Sequence, residues 1–149
     1  MSTARNFFSE AEKEQIVNAI RQAELNTSGE IRLHVELHCK EDVLDHAAFI
    51  FERLNMHETE QRNGVLFYIA VEDRKLAILG DVGINSAVPQ GFWNDIKEDM
   101  VTHFKQGSFA QGLAEGILMA GEQLKKYFPY KDDDVNELPD DISFGKDKA

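Results

Sequence analysis

The apolar positions of the first thirty residues fall at helical spacing. Ile16, Val17, Ile20 and Ala23 share one side of a predicted helix. Ser9 stands at its entrance with Glu12 three residues on, the pattern of a capping box. Asn26-Thr27-Ser28-Gly29 ends it. The period then drops to two: Ile31, Leu33, Val35 and Leu37 alternate with Arg32, His34, Glu36 and His38, which predicts a strand with one apolar face. Leu44, Ala47, Ala48, Phe51 and Leu54 predict a second helix over residues 42–54, followed by a polar loop over 55–64. Residues 65–71 are apolar on both faces, as a central strand is. Glu72-Asp73-Arg74 reads as a tight turn, and residues 75–79 as the return strand of a hairpin. Residues 80–90 read as a loop closed by Pro89. Phe92, Ile96, Met100 and Phe104 predict a third helix over 92–104; Leu113, Ile117, Ala120 and Leu124 predict a fourth over 109–128, stopped by Pro129. Gly112 and Gly116 share a face of that helix and would let it lie close to a neighbour.

The order helix, strand, helix, hairpin, helix, helix has a topological consequence. A strand–helix–strand crossover makes the first two strands parallel, and the hairpin adds an antiparallel third. The expected fold is α/β, a small mixed sheet with helices on both faces, formed by residues 1–129 as one domain. The starts of the first and second strands and the end of the third then lie at one sheet edge. Glu30, Glu58, Glu60, Asn63, Asp81 and Asn85 are brought to that edge, and Asp95, one turn into the third helix, is within reach of it. Carboxylates gathered at one loop junction repel unless a cation or proton intervenes. Carboxylate, amide and loop carbonyl oxygens are the hard ligands that calcium takes. Glycines at 64, 80 and 83 would let backbone carbonyls approach. A divalent-cation site is the expectation here, calcium or an ion such as magnesium, with Asp81 foremost. The competing reading is that these acids cap helices and face water.

Composition narrows the partners. The 149 residues carry 16 Lys+Arg against 27 Asp+Glu, a formal charge of −11. That excess argues against nucleic acid, whose phosphates need cationic side chains, and against anionic lipid. The segment 130–149 holds seven acids against three lysines, so an acidic C-terminal tail accounts for −4 of the total. Leu138, Ile142 and Phe144 are the apolar residues by which it could dock. Cys39 is the single cysteine, which excludes an internal disulfide. No apolar leader or spanning segment is seen, so a cytoplasmic location without membrane insertion is expected.

Several pieces in order carry a family resemblance: Thr59-x-x-Arg62-Asn63-Gly64-Val65-Leu66, Glu72-Asp73-Arg74-Lys75, Gly80-Asp81-x-Gly83-Ile84, and Phe104-x-x-Gly107-x-Phe109-x-x-Gly112. Over residues 7–128 they resemble the TPM domain family, named for thylakoid lumen, photosystem-repair and nematode membrane members. The resemblance implies a three-layer α/β/α sandwich in which two loops cross at one end of the sheet, and associates metal, often calcium, with those loops. It also implies an alternative, since an acid phosphatase activity has been proposed for plant members. The leading expectation is a stand-alone domain whose bound metal orders the crossing loops and so tunes an interaction surface, with a protein partner left open. In the phosphatase alternative the metal activates water, Asp81 or Glu60 ligates it, and Arg62 is a candidate phosphate clamp. A metal-free interaction module is the third reading.

Weaker candidates remain. His34, Glu36 and His38 share a strand face and offer a zinc-type ligand set, against the alternative of a partly exposed strand face. His46, His57 and His103 have no partner evident in the sequence. Asp132-x-Asp134-x-Asn136 imitates the start of an EF-hand loop but has Glu137 and Ser143 where the loop needs Gly and Glu. Phe92 and Trp93 open an amphipathic helix and read as packing residues.

Overall fold

A computed structural model describes residues 3–130 and 142–145. Helix α1 spans Glu10–Asn26 and begins at the expected capping box. Ser9 Oγ accepts from the Glu12 amide at 3.1 Å, and Glu12 Oε1 accepts from the Ser9 amide at 2.8 Å. Strand β1 is Glu30–Glu36, and α2 is Val43–Arg53, capped by the Asp42 carboxylate on the amides of Leu44 and Asp45. Strand β2, Gly64–Ala70, is buried along its whole length, and β3 is Lys75–Gly80. Then come α3 (Val82–Ala87), α4 (Asn94–Lys105), α5 (Phe109–Leu124) and the two-residue β4 (Ser143–Phe144).

The strand order is β3-β2-β1-β4. β1 runs parallel to β2 and to β4, and β2 and β3 form the antiparallel hairpin. The α/β mixed sheet predicted from element order is present, with α1, α4 and α5 on one face and α2 on the other. Ile31, Leu33 and Val35 of β1 pack with Val65, Phe67 and Ile69 of β2 against Ile16, Ile20, Leu113 and Ile117. The alternate residues Leu66, Tyr68 and Ala70 pack with Ala77 against Ala47, Ile50 and Phe51 of α2. Helix α5 lies close to two neighbours. A Cβ on Gly112 would stand 2.8 Å from His103 Cβ, and one on Gly121 would stand 2.7 Å from Ala23 Cα. Among the described residues no helix is long and apolar enough to cross a membrane.

Three elements differ from the sequence pattern. Residues 82–87 form a helix rather than a loop; with one buried residue, Ile84, it is too short to show a period. Helix α5 stops at Leu124 instead of running to 128. Its last turn unwinds because the Phe128 carbonyl is taken up by Ser28 N–H at 2.9 Å and by the Thr27 hydroxyl, which ties the segment after α5 to the link between α1 and β1. The third is β4, which a two-residue pairing hides from any periodicity. The tail segment 142–145 thereby joins the domain. Gly145 N–H donates to Val35 O at 2.9 Å, and Phe144 packs on the core under the guanidinium of Arg5. The EF-hand-like run at 132–136 lies outside the described residues, as does Leu138.

Candidate functional site at the crossing loops

The register places the expected edge. Glu30 stands opposite Gly64, and Val65 opposite Gly80, so the starts of β1 and β2 and the end of β3 coincide. The loop before β2 and the first turn of α3 cross there. Gly83 N–H donates to Arg62 O at 2.9 Å. A Cβ on Gly83 would stand 2.2 Å from Gln61 O and 2.6 Å from Arg62 O, so only glycine allows the two backbones to cross at this distance.

Asp81 is the buried acid of the crossing, 6% exposed. It is the N-cap of α3, with Oδ1 accepting from Val82 N–H at 2.7 Å. Arg62 Nε donates to Oδ2 at 2.7 Å and Nη2 to Oδ1 at 2.9 Å, a bidentate pair. Arg62 holds that pose from a left-handed backbone, φ 52°, a conformation L-residues seldom adopt. The positive charge that the acid requires is thus supplied by Arg62. That engagement also ties up the guanidinium expected as a phosphate clamp.

Glu30, Asn63 and Thr59 are also buried at this edge. Asn63 N–H donates to Thr59 Oγ1 at 3.1 Å, its Nδ2 donates to Ser28 O at 3.2 Å, and its carbonyl accepts from Glu30 N–H at 3.2 Å. Its side-chain Oδ1 is buried with no hydrogen-bond partner. Glu58, Glu60, Asn85 and Asp95 are exposed. Asn85 Nδ2 donates to Gly80 O at 3.0 Å, bracing the turn into α3. Of the seven expected ligands, three are therefore buried at the sheet edge and four are exposed. Phe92 and Trp93 stack edge to face at 4.8 Å and pack against the core.

The histidines sort differently from the strand-face reading. His38 leaves the face of His34 and Glu36: its Nδ1 lies 2.9 Å from Asp73 Oδ1 and its Nε2 3.0 Å from Glu72 Oε2. His46 takes its place, with Nε2 2.7 Å from Glu36 Oε1 and Nδ1 on Glu41. Tyr68 O–H donates to the same Glu36 oxygen at 2.5 Å, and His34 Nε2 lies 3.4 Å from Oε2. Burial works to raise the Glu36 carboxyl, but His34, the Tyr68 hydroxyl and His46 outweigh it and hold it at about 2. Burial and Glu36 push the Tyr68 phenol up, so it remains the donor. A second cluster, Asp99, His103 and Glu115, joins α4 to α5. The four-residue step from Asp99 to His103 is visible in the sequence as one helix face; the approach of Glu115 is not, because it depends on how two helices pack.

A model of the TPM domain matches residues 1–123. The chain is similar to the BA42 protein of the psychrophilic bacterium Bizionia argentinensis, solved by NMR, at 50% identity and a TM-score of 0.90, covering 97% of this chain and 100% of that one. It is also similar in fold to the N-terminal domain of a P. gingivalis protein (21% identity, TM-score 0.69, 83% of this chain and 80% of that one). The N-terminal domain of the Corynebacterium glutamicum protein cg2496 shares the fold at 12% identity and a TM-score of 0.60, over 96% of this chain and 83% of that one. No curated protein matches significantly. The crossing loops, the mixed sheet and the family match agree, and the chain belongs to the TPM domain family.

Proposed function

We propose that this TPM domain binds a divalent cation, calcium in preference to magnesium, where its loops cross, and that the ion orders those loops and tunes an interaction surface around them. The observation that carries the reading is Asn63. Its side-chain oxygen is buried without a hydrogen bond, although the residue is only 1% exposed. Leaving such a group unpaired costs about 1–3 kcal/mol. Amide and carboxylate oxygens at a glycine-rich crossing are what calcium coordinates. Glu30 and Asp81 supply buried carboxylates at the same sheet edge as Asn63, and in this reading the exposed Glu58, Glu60, Asn85 and Asp95 are the outer ligands.

Arg62 acts as the resident cation in this reading. Its side chain is 47% exposed, so it can swing into solvent when a metal takes over the Asp81 oxygens. Binding is then an exchange of guanidinium for metal, and the freed Arg62 changes the surface charge around the crossing.

Calcium titration followed by amide NMR tests this. Shifts concentrated in residues 55–64 and 80–90 are expected, abolished by Asp81→Asn and strengthened by Arg62→Gln, which removes the competitor. The melting point is expected to rise with calcium over EDTA, since a ligand at a hundred times its dissociation constant adds about 2.7 kcal/mol. Silence of both loops at millimolar calcium overturns the proposal. Turnover of p-nitrophenyl phosphate that disappears in Asp81→Asn would instead make the ion a catalytic one.

A further inference from the structure

We propose that Asp99, His103 and Glu115 form a second cation site, of transition-metal type, at the seam between α4 and α5. Each of the three offers a ligating atom, and these atoms lie within 4.8 Å of one another, the only such trio of His, Cys, Asp or Glu among the described residues. The site is independent of the crossing-loop reading.

Both helices contribute to it. Asp99 and His103 are one turn apart on α4, so they share a face. Glu115 comes from α5, and it comes within reach because Gly112, one turn before it, has no side chain. The His103 Cβ fills the space that a Gly112 Cβ would occupy.

The hydrogen bonds then dictate the chemistry. His103 Nδ1 lies 2.9 Å from the Asp99 carbonyl oxygen, which can only accept, so the Nδ1 proton is committed there. This is the way metal-binding imidazoles are oriented, with the outer nitrogen held by a carbonyl and the inner one presented. The inner Nε2 is 2.7 Å from Glu115 Oε2. A nitrogen lone pair and a carboxylate oxygen cannot sit so close unless something positive lies between them. Either a proton or a metal ion meets that requirement. Asp99 Oδ2, a buried atom with no hydrogen-bond partner on a side chain that is 33% exposed, lies 3.7 Å from His103 Nδ1 and is a further oxygen the cluster offers.

One imidazole nitrogen with two carboxylates suits zinc and its neighbours, while calcium prefers oxygen alone. The pair of carboxylates balances a divalent charge. The His103 side chain is 21% exposed, which leaves an entry for the ion and a position for water. Gln111 Nε2, donating to Glu115 Oε2 at 3.1 Å, orients that carboxylate from the outside.

Zinc titration of the whole chain, read by amide NMR and by the imidazole ¹⁵N resonances, decides the matter. The expected result is saturation at one equivalent in the micromolar range, with shifts at residues 99, 103 and 115 and movement of the His103 Nε2 resonance. His103→Gln and Glu115→Gln are each expected to weaken that response at least tenfold while keeping a dispersed spectrum. Three results overturn the proposal: no change across residues 99–115 at millimolar zinc, zinc effects confined to His38 or His46, or a His103 Nε2 resonance that follows pH and ignores zinc, which leaves a proton holding the seam. Equal shifts at these residues with calcium overturn the transition-metal assignment. Shifts at 55–64 and 80–90 report on the crossing loops separately, so either site can fail alone.

Discussion

Leu33, Phe67 and Ile78 stand side by side across three strands, and so do their chain neighbours His34, Tyr68 and Ala77. The first row faces α1, α4 and α5 and is apolar throughout. The second faces α2 and includes a buried histidine, a buried tyrosine and, two residues on, Glu36. The same backbone thus carries a dry face whose stability is a matter of volume and a mixed face whose stability is a matter of charge. The difference follows from coverage. Three helices seal one face, while α2 alone shields the other, so polar groups there reach one another and the rim of solvent.

The dry face gives the largest expected effect. Phe67→Ala empties its centre and is expected to cost about 3–5 kcal/mol, with no change in the pH dependence of unfolding. Urea denaturation measures it, and a cost below about 1 kcal/mol would mean that the dry face is not the volume-limited one.

Acid tests the mixed face. The folded Glu36 carboxyl sits at about 2 against an ordinary 4.5. Its stabilisation is therefore complete above pH 4.5 and drains away as pH falls through about 2, an expected loss of about 3 kcal/mol at most. Urea midpoints between about pH 5 and pH 2 should fall more steeply in the parent than in Glu36→Gln; parallel curves would remove the charge from the account.

The smallest effect sharpens the assignment within that face. Tyr68→Phe deletes only the hydroxyl that donates to Glu36 and is expected to cost about 2 kcal/mol, as bonds to charged acceptors do. It should also raise the Glu36 carboxyl, visible by side-chain NMR. An unmoved carboxyl would show that the histidines hold it without the phenol.

Much of this division is legible in the sequence. The alternation of residues 31–38 assigns Ile31, Leu33 and Val35 to one face and His34 and Glu36 to the other, because a strand turns successive side chains to opposite sides. The crossover and hairpin bring Glu30, Asn63 and Asp81 to one edge, and the strand register has them there. The alternation carries on to His38, yet His38 does not join the histidine face, because the strand ends at Glu36 and the chain then bends His38 toward Asp73. Helix α3 and strand β4 are too short for any period to betray.

Local periodicity therefore determined the long elements and their faces, since those depend on neighbours within a few residues, and the order of the elements placed Glu30, Asn63 and Asp81 at one sheet edge. Only the tertiary structure decided which charges meet. Arg62 on Asp81, His46 on Glu36 and Glu115 on His103 are contacts between separate elements. Their distances are set by how closely backbones approach, at Gly83 and Gly112 above all, and a spacing along the chain carries no measure of that approach.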